Sequence, residues 1–470
     1  MAGGVLVVVP DSLSVLTTYV LREQLDWFED EIKFVRRLLQ PGERVVDIGA
    51  NYGVYALTMA RLVGPSGTVL AFEPADATAA LLAESIRANA FGNVVLERCA
   101  VSAAGGTARL RIADQSEYNA LVHGELPATE TETVQVVSLD DYLARHRCTD
   151  VAFVKLDAEG EESQVIAGAR RFLTECSPLI LFEIRSDGLL HLNLVDEFAR
   201  LGYESYRLVP GLDLLVPFDA YAEPDTFQLN LFCCKPDRAA ALAARGLLVD
   251  STAIDDYAEA NSLATFYRTH RDDYAWTTRL TRMPYGRSLG DCGSKERTRE
   301  FVELEDALAY YAISQDANLA SITRFSALQA SLNLLYSLCS DYRNHLRLMS
   351  LVRVAADFGA RSAANDALQM ILKLRGGGAS AVPYEPFLAP VKRFEDIPIG
   401  ADLSNWTVAA CSERFEQLSA LSSFFSVAPV ALARLNLIVS LGFGGEEMAR
   451  RLSLVRARGE GPGAAAAVSS

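Results

Sequence analysis

The chain has 470 residues, half of them hydrophobic and 22% charged, with a net charge of −16. That length holds about two to four domains with real cores, and the composition is that of a globular rather than a disordered protein. The acidity argues against nonspecific nucleic-acid binding, which needs a basic surface, and reads as a solubility feature.

The eight cysteines show no C-x-x-C spacing and no histidine cluster. This is the pattern of reduced thiols in a cytoplasmic protein, not of a disulfide framework or a zinc site. Residues 4–10 are apolar but short and lack a basic start, so they read as a strand or a frayed end, not a signal peptide. No stretch approaches the roughly 18 uncharged apolar residues of a membrane span, so none is expected.

Leu21, Leu25, Phe28, Ile32, Val35, Leu38 and Leu39 recur at helical spacing and predict one helix over 19–40, stopped by Pro41-Gly42. From 44 to 235 strands and helices alternate. Strands are predicted at 44–49, 68–73, 94–99, 151–157, 178–184, 203–209 and 227–234, and helices at 53–63, 76–90, 161–173 and 190–201. Such alternation predicts an α/β fold with a mostly parallel, doubly wound sheet. Two short strands, 107–112 and 132–137, predict a hairpin before the fourth strand, and the polar stretch 114–130 between them either overhangs the site or is a surface loop.

After Lys235-Pro236 the pattern changes. Residues 237–300 are locally basic, with Arg268, Arg271, Arg279, Arg282, Arg287, Lys295, Arg297 and Arg299. These side chains either form a solvated face or meet an anionic substrate portion or an acidic domain. Residues 301–457 read as all-helical, broken at Gly376-Gly-Gly378, with two helix-glycine-helix stretches around Gly359 and Gly442. Those stretches fit a tetratricopeptide-type pair weakly and an irregular bundle equally well. The expected division is a helical lead-in over 1–40, an α/β domain over 41–236, a basic linker or subdomain over 237–300, an all-α domain over 301–457 and a disordered tail over 458–470.

The most informative local feature is the turn after the first strand. Residues 44–53 read Arg-Val-Val-Asp-Ile-Gly-Ala-Asn-Tyr-Gly, and Glu73 closes the next apolar run. Glycines in a strand-to-helix turn, with an acid at the tip of the following strand, form a nucleoside-binding crevice. The loop is G-x-N-x-G rather than G-x-G-x-x-G, and Asp47 stands two residues before its first glycine. A carboxylate there repels a pyrophosphate. It suits S-adenosylmethionine, which carries an ammonium and a sulfonium and no phosphate.

The fourth strand ends in Lys155-Leu-Asp-Ala-Glu-Gly-Glu161. Charge begins where the apolar run stops, at the carboxyl edge where open sheets bind ligands. Asp157 and Glu159 are therefore expected to face the crevice, and Lys155, two residues from Asp157, to share its face. Glu161 and Glu162 read as stabilisers of the next helix's N-terminus. Glu183 contacts the acceptor or pairs with Arg185. His191 is a surface helix-start residue or a base, Tyr55 is core or cofactor-facing, and His123 has no reading. Two carboxylates without a clear third ligand make a metal site the weaker option, so no metal is expected.

Six segments occur in order: Asp47-Ile-Gly-Ala-Asn-Tyr-Gly, Phe72-Glu-Pro74, the Asn89–Asn93 region, Ala100-Val-Ser102, Ser138-Leu-Asp-Asp-Tyr-Leu143 and Lys155-Leu-Asp-Ala-Glu-Gly-Glu161. Over about residues 20–235 the chain thereby resembles the FkbM family of methyltransferases. The departures are Ala158, where a β-branched residue is common, and Ala103-Ala104, where an acid is common. The resemblance implies a class I Rossmann-like methyltransferase fold that uses S-adenosylmethionine and mostly methylates oxygen. It places Asp47, Gly49, Ala50, Asn51 and Gly53 at the methionine end of the cofactor, Glu73 on the ribose hydroxyls, and Ala100 and Val101 along the adenine. It places Asp157, Glu159 and Lys155 near the methyl group, with Asp157 as the base. The expected acceptor is a saccharide, glycolipid or secondary-metabolite hydroxyl, with the helical half recruiting substrate, a protein partner or a second copy. The alternatives are nitrogen or carboxyl methylation, and an interaction protein on a vestigial methyltransferase fold.

Overall fold

The computed structural model describes residues 1–122, 130–146, 148, 150–186, 189–287, 289, 298–340, 344–376, 385–400 and 402–459. The chain divides into two compact units. One comprises Met1–Leu208, Leu215–Pro224 and Gln228–Leu248; the other comprises Val209–Leu214, Asp225–Phe227 and Val249–Ser470. The expected boundaries differ from this division. The lead-in shares the first unit's core, because Ile32, Phe34, Val35 and Leu38 pack with Val45 and Val69. Residues 237–248 stay with that unit as well, through Ala239, Leu242 and Leu247.

The first unit is built on β1 (Arg44–Ile48), β2 (Thr68–Phe72) and β3 (Val94–Glu97). A separate four-stranded sheet follows: β4 (Ala100–Val101), β5 (Gly106–Arg111), β6 (Ala120–Leu121) and β7 (Thr131–Val137). The chain returns to the main sheet at β8 (Val151–Leu156) and β9 (Leu179–Glu183), then forms a short ribbon of β10 (Arg185–Ser186) and β11 (Leu189–Leu190). It finishes the sheet with β12 (Glu204–Val209), β13 (Leu214–Pro217) and β14 (Asn230–Cys234). The strand order is β13-β12-β14-β9-β8-β1-β2-β3. β3, β2, β1, β8 and β9 are parallel, while β14 is antiparallel to β9 and β12. The chain moves outward from β1 to β3, then restarts at β8 on the other side of β1. That reversal is a topological switch point, which opens a crevice beyond the carboxyl ends of β1 and β8.

Both faces of the sheet are covered, as nearly continuous apolar strands require. Helices α1 (Leu16–Gln24), α2 (Asp30–Leu38), α3 (Val54–Val63), α4 (Asp76–Ala88), α5 (Leu139–Arg145), α6 (Glu162–Ala167), α7 (Arg170–Glu175), α8 (Asn193–Ala199) and α9 (Pro236–Ala244) surround it. Alternation along each strand sorts the side chains. Val45, Val69, Phe153 and Leu181 join Phe34 and Leu57 on one face. Val46, Leu70, Val154 and Ile180 join Leu143, Phe172 and Phe198 on the other.

Three local expectations are corrected. The single helix over 19–40 is two, α1 and α2, because Leu25 adopts φ 60° and ends α1. Arg36 holds the turn with bonds of 2.6 and 2.7 Å to Asp26. The predicted helix over 161–173 is also two, α6 and α7, with a break at Gly168. A Cβ there would lie 2.3 Å from the Ser102 carbonyl oxygen, so this close approach needs glycine. Residues 4–10 are neither strand nor frayed end. The Leu6 and Val8 amides donate to Asn89 Oδ1 and Ser85 Oγ at 2.9 and 2.8 Å, which pins the segment along α4.

The second unit is helical: α10 (Ser251–Glu259), α11 (Ser262–His270), α12 (Trp276–Arg279), α13 (Arg299–Ser314), α14 (Ser321–Leu338), α15 (His345–Phe358), α16 (Arg361–Gly376), α17 (Leu403–Leu418), α18 (Ala428–Ser440) and α19 (Glu446–Gly459). Neighbours in sequence pack in pairs, α13 on α14, α15 on α16 and α18 on α19. Gly359 closes α15 in the left-handed conformation, and Gly442 links α18 to α19 at φ 79°. Arg271 and Arg299 of the basic stretch pair with Asp306 and Glu303 at 3.0 and 2.9 Å. His123, Lys295, Arg297, Gly377, Gly378 and the tail from 460 lie outside the described residues. Among the described residues, no helix is long and apolar enough to cross a membrane.

Candidate active site

The turn after β1 is pinned to its neighbour. The Gly49 and Ala50 amides donate to the Phe72 carbonyl oxygen at 3.1 and 2.9 Å. Gly49 has φ 77°, and a Cβ on it would lie 1.8 Å from the Asp157 carbonyl oxygen. Only glycine allows β1 and β8 to end so close together. Asn51 takes φ 48°, which asparagine tolerates better than most residues, and Gly53 then caps α3. The Asn51 Oδ1 accepts from Ser116 Oγ at 3.0 Å, so the start of the 114–130 stretch reaches this turn.

Asp47 and Lys155 are partners in the β1–β8 register. Asp47 is fully buried, and neither of its carboxylate oxygens has a hydrogen-bond partner among the described residues. Burial pushes its pKa up to about 6, against the pull of Lys155, whose Nζ is 4.0 Å from Oδ1. The Lys155 ammonium instead donates to Asp157 Oδ2 at 2.8 Å and lies 5.1 Å from the centre of the Tyr55 ring. Burial opposes the Lys155 charge, but Asp157 and Asp47 hold its pKa above the ordinary lysine value. Tyr55 is buried, and its hydroxyl donates to Glu29 Oε2 at 2.5 Å. It is therefore core and site wall at once. A carboxylate deep in a protein without a hydrogen bond is costly, so Asp47 can receive a further hydrogen-bond-donating or cationic group beside Lys155.

Glu73 follows β2 and is only 5% exposed. Its Oε2 accepts from the Asn51 amide at 2.8 Å and its Oε1 from the Ala75 amide at 2.9 Å. One lone pair on each oxygen remains for further donors. Burial pushes its pKa up to about 7, against the two amide bonds.

Beyond β8, Asp157, Glu159 and Glu183 each offer a carboxylate oxygen, and these oxygens lie within 4.8 Å of one another. Glu159 takes φ 51° in this turn. Burial, with the charges of Asp157, Glu159, Glu29 and Glu162, raises the Glu183 pKa above the ordinary carboxylate range. The sequence alone offered two carboxylates and no third; the end of β9 supplies the third. Such a trio has the oxygen donors that a divalent cation takes. Glu162 does more than sit at a helix start: it accepts from the Ala158 and Gly160 amides at 2.8 and 3.1 Å and shapes the loop carrying Glu159. Glu161 accepts from Ser102 Oγ at 2.9 Å.

Asp47, Gly49, Ala50, Asn51, Gly53, Glu73, Lys155, Asp157 and Glu159 thus gather at the switch point. Ala100 and Val101 sit in β4, paired with β7 in the smaller sheet. Ala100 packs with Ala75, two residues beyond Glu73. His191 donates its amide to the Ile184 carbonyl oxygen at 2.8 Å in the turn before α8. The contribution of Glu29 is absent from any local motif, because it comes from the turn between α1 and α2.

Residues 47–205 match the family model of the methyltransferase FkbM domain. A 31-O-demethyl-FK506 methyltransferase FkbM of Streptomyces tacrolimicus is 32% identical over 161 residues, covering 28% of this chain and 60% of the relative. Methyltransferase 1 of Beauveria bassiana is 27% identical over 143 residues, covering 26% of this chain and 57% of that protein. The chain therefore spans less than two thirds of these relatives. Among solved structures, methyltransferase FkbM from Methylobacillus flagellatus is 19% identical with a TM-score of 0.31, covering 48% of this chain and 56% of that one. The family model and the resemblance drawn from the motifs point to the same domain.

Proposed function

From the methyltransferase FkbM domain that this chain carries at residues 47–205, we propose that it transfers a methyl group from S-adenosylmethionine to a hydroxyl oxygen of a saccharide, glycolipid or secondary metabolite. The observation that carries the reading is Asp47, a buried carboxylate with both oxygens unpartnered among the described residues, at a switch point flanked by Glu73. The residues fit the cofactor's chemistry. Asp47 would take its cationic amino-acid end, Glu73 its ribose hydroxyls, and the Gly49–Gly53 backbone would allow close approach. The relative named for 31-O-demethyl-FK506 supports oxygen as the methylated atom.

Bound there, S-adenosylmethionine supplies a methyl group already activated by a positively charged sulfur. The chain's own part is to orient an acceptor and remove its proton. Asp157 is the base: Lys155 holds its Oδ2, and Oδ1 would take the acceptor's proton. A positioned base of this kind contributes about 10²–10⁴-fold. Glu159 positions the acceptor beside it. A second reading follows from the carboxylate trio, in which a divalent ion on Asp157, Glu159 and Glu183 acidifies the hydroxyl. Turnover that survives exhaustive chelation would remove that reading.

Calorimetric titration with S-adenosylmethionine and S-adenosylhomocysteine tests the primary reading. Saturable binding is expected, weakened by about 1–3 kcal/mol in Glu73→Ala, the worth of hydrogen bonds to a charged group. A folded protein that binds neither compound would end it.

A further inference from the structure

The helical unit holds a partly open pocket of about 200 Å³ in a region that the methyltransferase reading does not use. Three aromatic rings line it, Tyr274, Trp276 and Tyr311. Each has its polar end bonded to protein: the Tyr274 hydroxyl to Asp316 at 2.7 Å, the Trp276 indole to Glu305 at 3.0 Å, and the Tyr311 hydroxyl to Asp357 at 2.8 Å. The rings therefore offer the cavity apolar surface rather than hydrogen bonds. Leu280, Met283 and Leu308 complete an apolar lining. A pocket of this size has room for a single apolar ring, since about 150 Å³ already suffices for benzene.

The charged lining has a sign. Arg279, Arg353 and Lys392 face one carboxylate, Glu395, in a protein of net charge −16. Arg353 is matched by protein acids, Glu395 at 2.9 Å and Asp357 at 3.4 Å. Arg279 is held more loosely. It lies 3.9 Å from Asp316, stacks over Tyr274 at 4.6 Å and is 39% exposed, and Lys392 is exposed too. A part-exposed guanidinium stacked on an aromatic wall is a ready partner for a carboxylate.

We propose that this cavity is a second small-molecule site, taking an aromatic acid: a flat apolar ring between Tyr274, Trp276 and Tyr311, with its carboxylate on Arg279. The site belongs to the helical unit alone and stands independently of the methyltransferase assignment. The pocket itself holds about seven non-hydrogen atoms, since each water-sized portion of liquid takes about 30 Å³, and the rest of a larger acid extends through its open side.

Trp276 gives the site its own readout. The full chain is titrated with 2-naphthoate and with 2-naphthol, its neutral analogue, while tryptophan fluorescence is followed. Saturable quenching by 2-naphthoate is expected, absent in Trp276→Phe, with an affinity about tenfold above that of 2-naphthol. Ala312→Trp fills the cavity and should abolish binding with little change in the thermal melt. Should that variant fold poorly, Arg279→Gln, at a part-exposed position, should erase the preference for the acid and leave the melt intact. No saturable response in the wild type overturns the proposal. So does an acid preference that persists undiminished in Arg279→Gln.

Discussion

Glu73 and Asp47 are carboxylic acids that the fold keeps easy to protonate, and this has a signed consequence for stability. The ordinary value of 4.5 for Glu73 becomes about 7, and that of 3.8 for Asp47 becomes about 6. Between those limits the folded state binds protons that the unfolded chain has released. Their contribution to stability is therefore complete below the unfolded values and is lost as pH rises to about 7. Glu73→Gln removes one of the two groups, so its melting temperature should fall less steeply than the wild type's between pH 4.5 and 7. Parallel melting curves would show that Glu73 is not titrating in that window. Asp157 makes a different prediction. Asn in its place can still accept from Lys155 but cannot take a proton, so Asp157→Asn should keep cofactor affinity within about threefold while turnover falls about 10²–10⁴-fold. Turnover near the wild-type rate would transfer the base role elsewhere.

At the scale of elements, the decisive contact is the meeting of β1 and β8. Their ends come together because Gly49 has no side chain to strike the Asp157 carbonyl, 1.8 Å from where a Cβ would stand. Gly49→Ala adds that clash to the cost of a positive φ. It should destabilise the protein by at least about 2 kcal/mol in chemical denaturation and weaken S-adenosylmethionine binding. Gly92 is the unstrained control, since its φ is not positive and a Cβ there meets nothing within 4 Å. Equal effects of Gly49→Ala and Gly92→Ala would mean that the turn relaxes and that the tight crossing is not required.

At the scale of the whole molecule, the two units are not consecutive in the chain. Val209–Leu214, which runs from the last residue of β12 to the first of β13, belongs to the helical unit. There the Gly211 amide donates to the Asp357 carbonyl oxygen at 2.8 Å, and Val209 and Leu212 are buried. Cutting the chain after Leu248 strips that segment of its partners and leaves apolar side chains exposed, each worth about 1.5–3 kcal/mol when buried. The 1–248 fragment should therefore melt about 5–10 °C below the corresponding transition of the full chain. An unchanged transition, followed by calorimetry, would mean that these contacts contribute nothing to the first unit.

What the residues reveal directly is what lies within a few positions of a strand end. Asp47, Gly49, Asn51, Gly53, Glu73, Lys155 and Asp157 are legible because an apolar run, its turn and its first charged residue are contiguous. The alternation of strand and helix is legible for the same reason, since each element announces its own period. Tertiary structure alone decides which strand ends are neighbours. It brings Glu183 to Asp157 and Glu159, leaves the Asp47 carboxylate oxygens without a hydrogen bond among the described residues, and sets Glu29 against Tyr55. It also breaks the expected helices at Leu25 and Gly168, where the chain must turn to pack. Local propensity is written in short windows of sequence. The pairing of segments far apart in the chain is set by the joint packing of the whole core, which no short window contains.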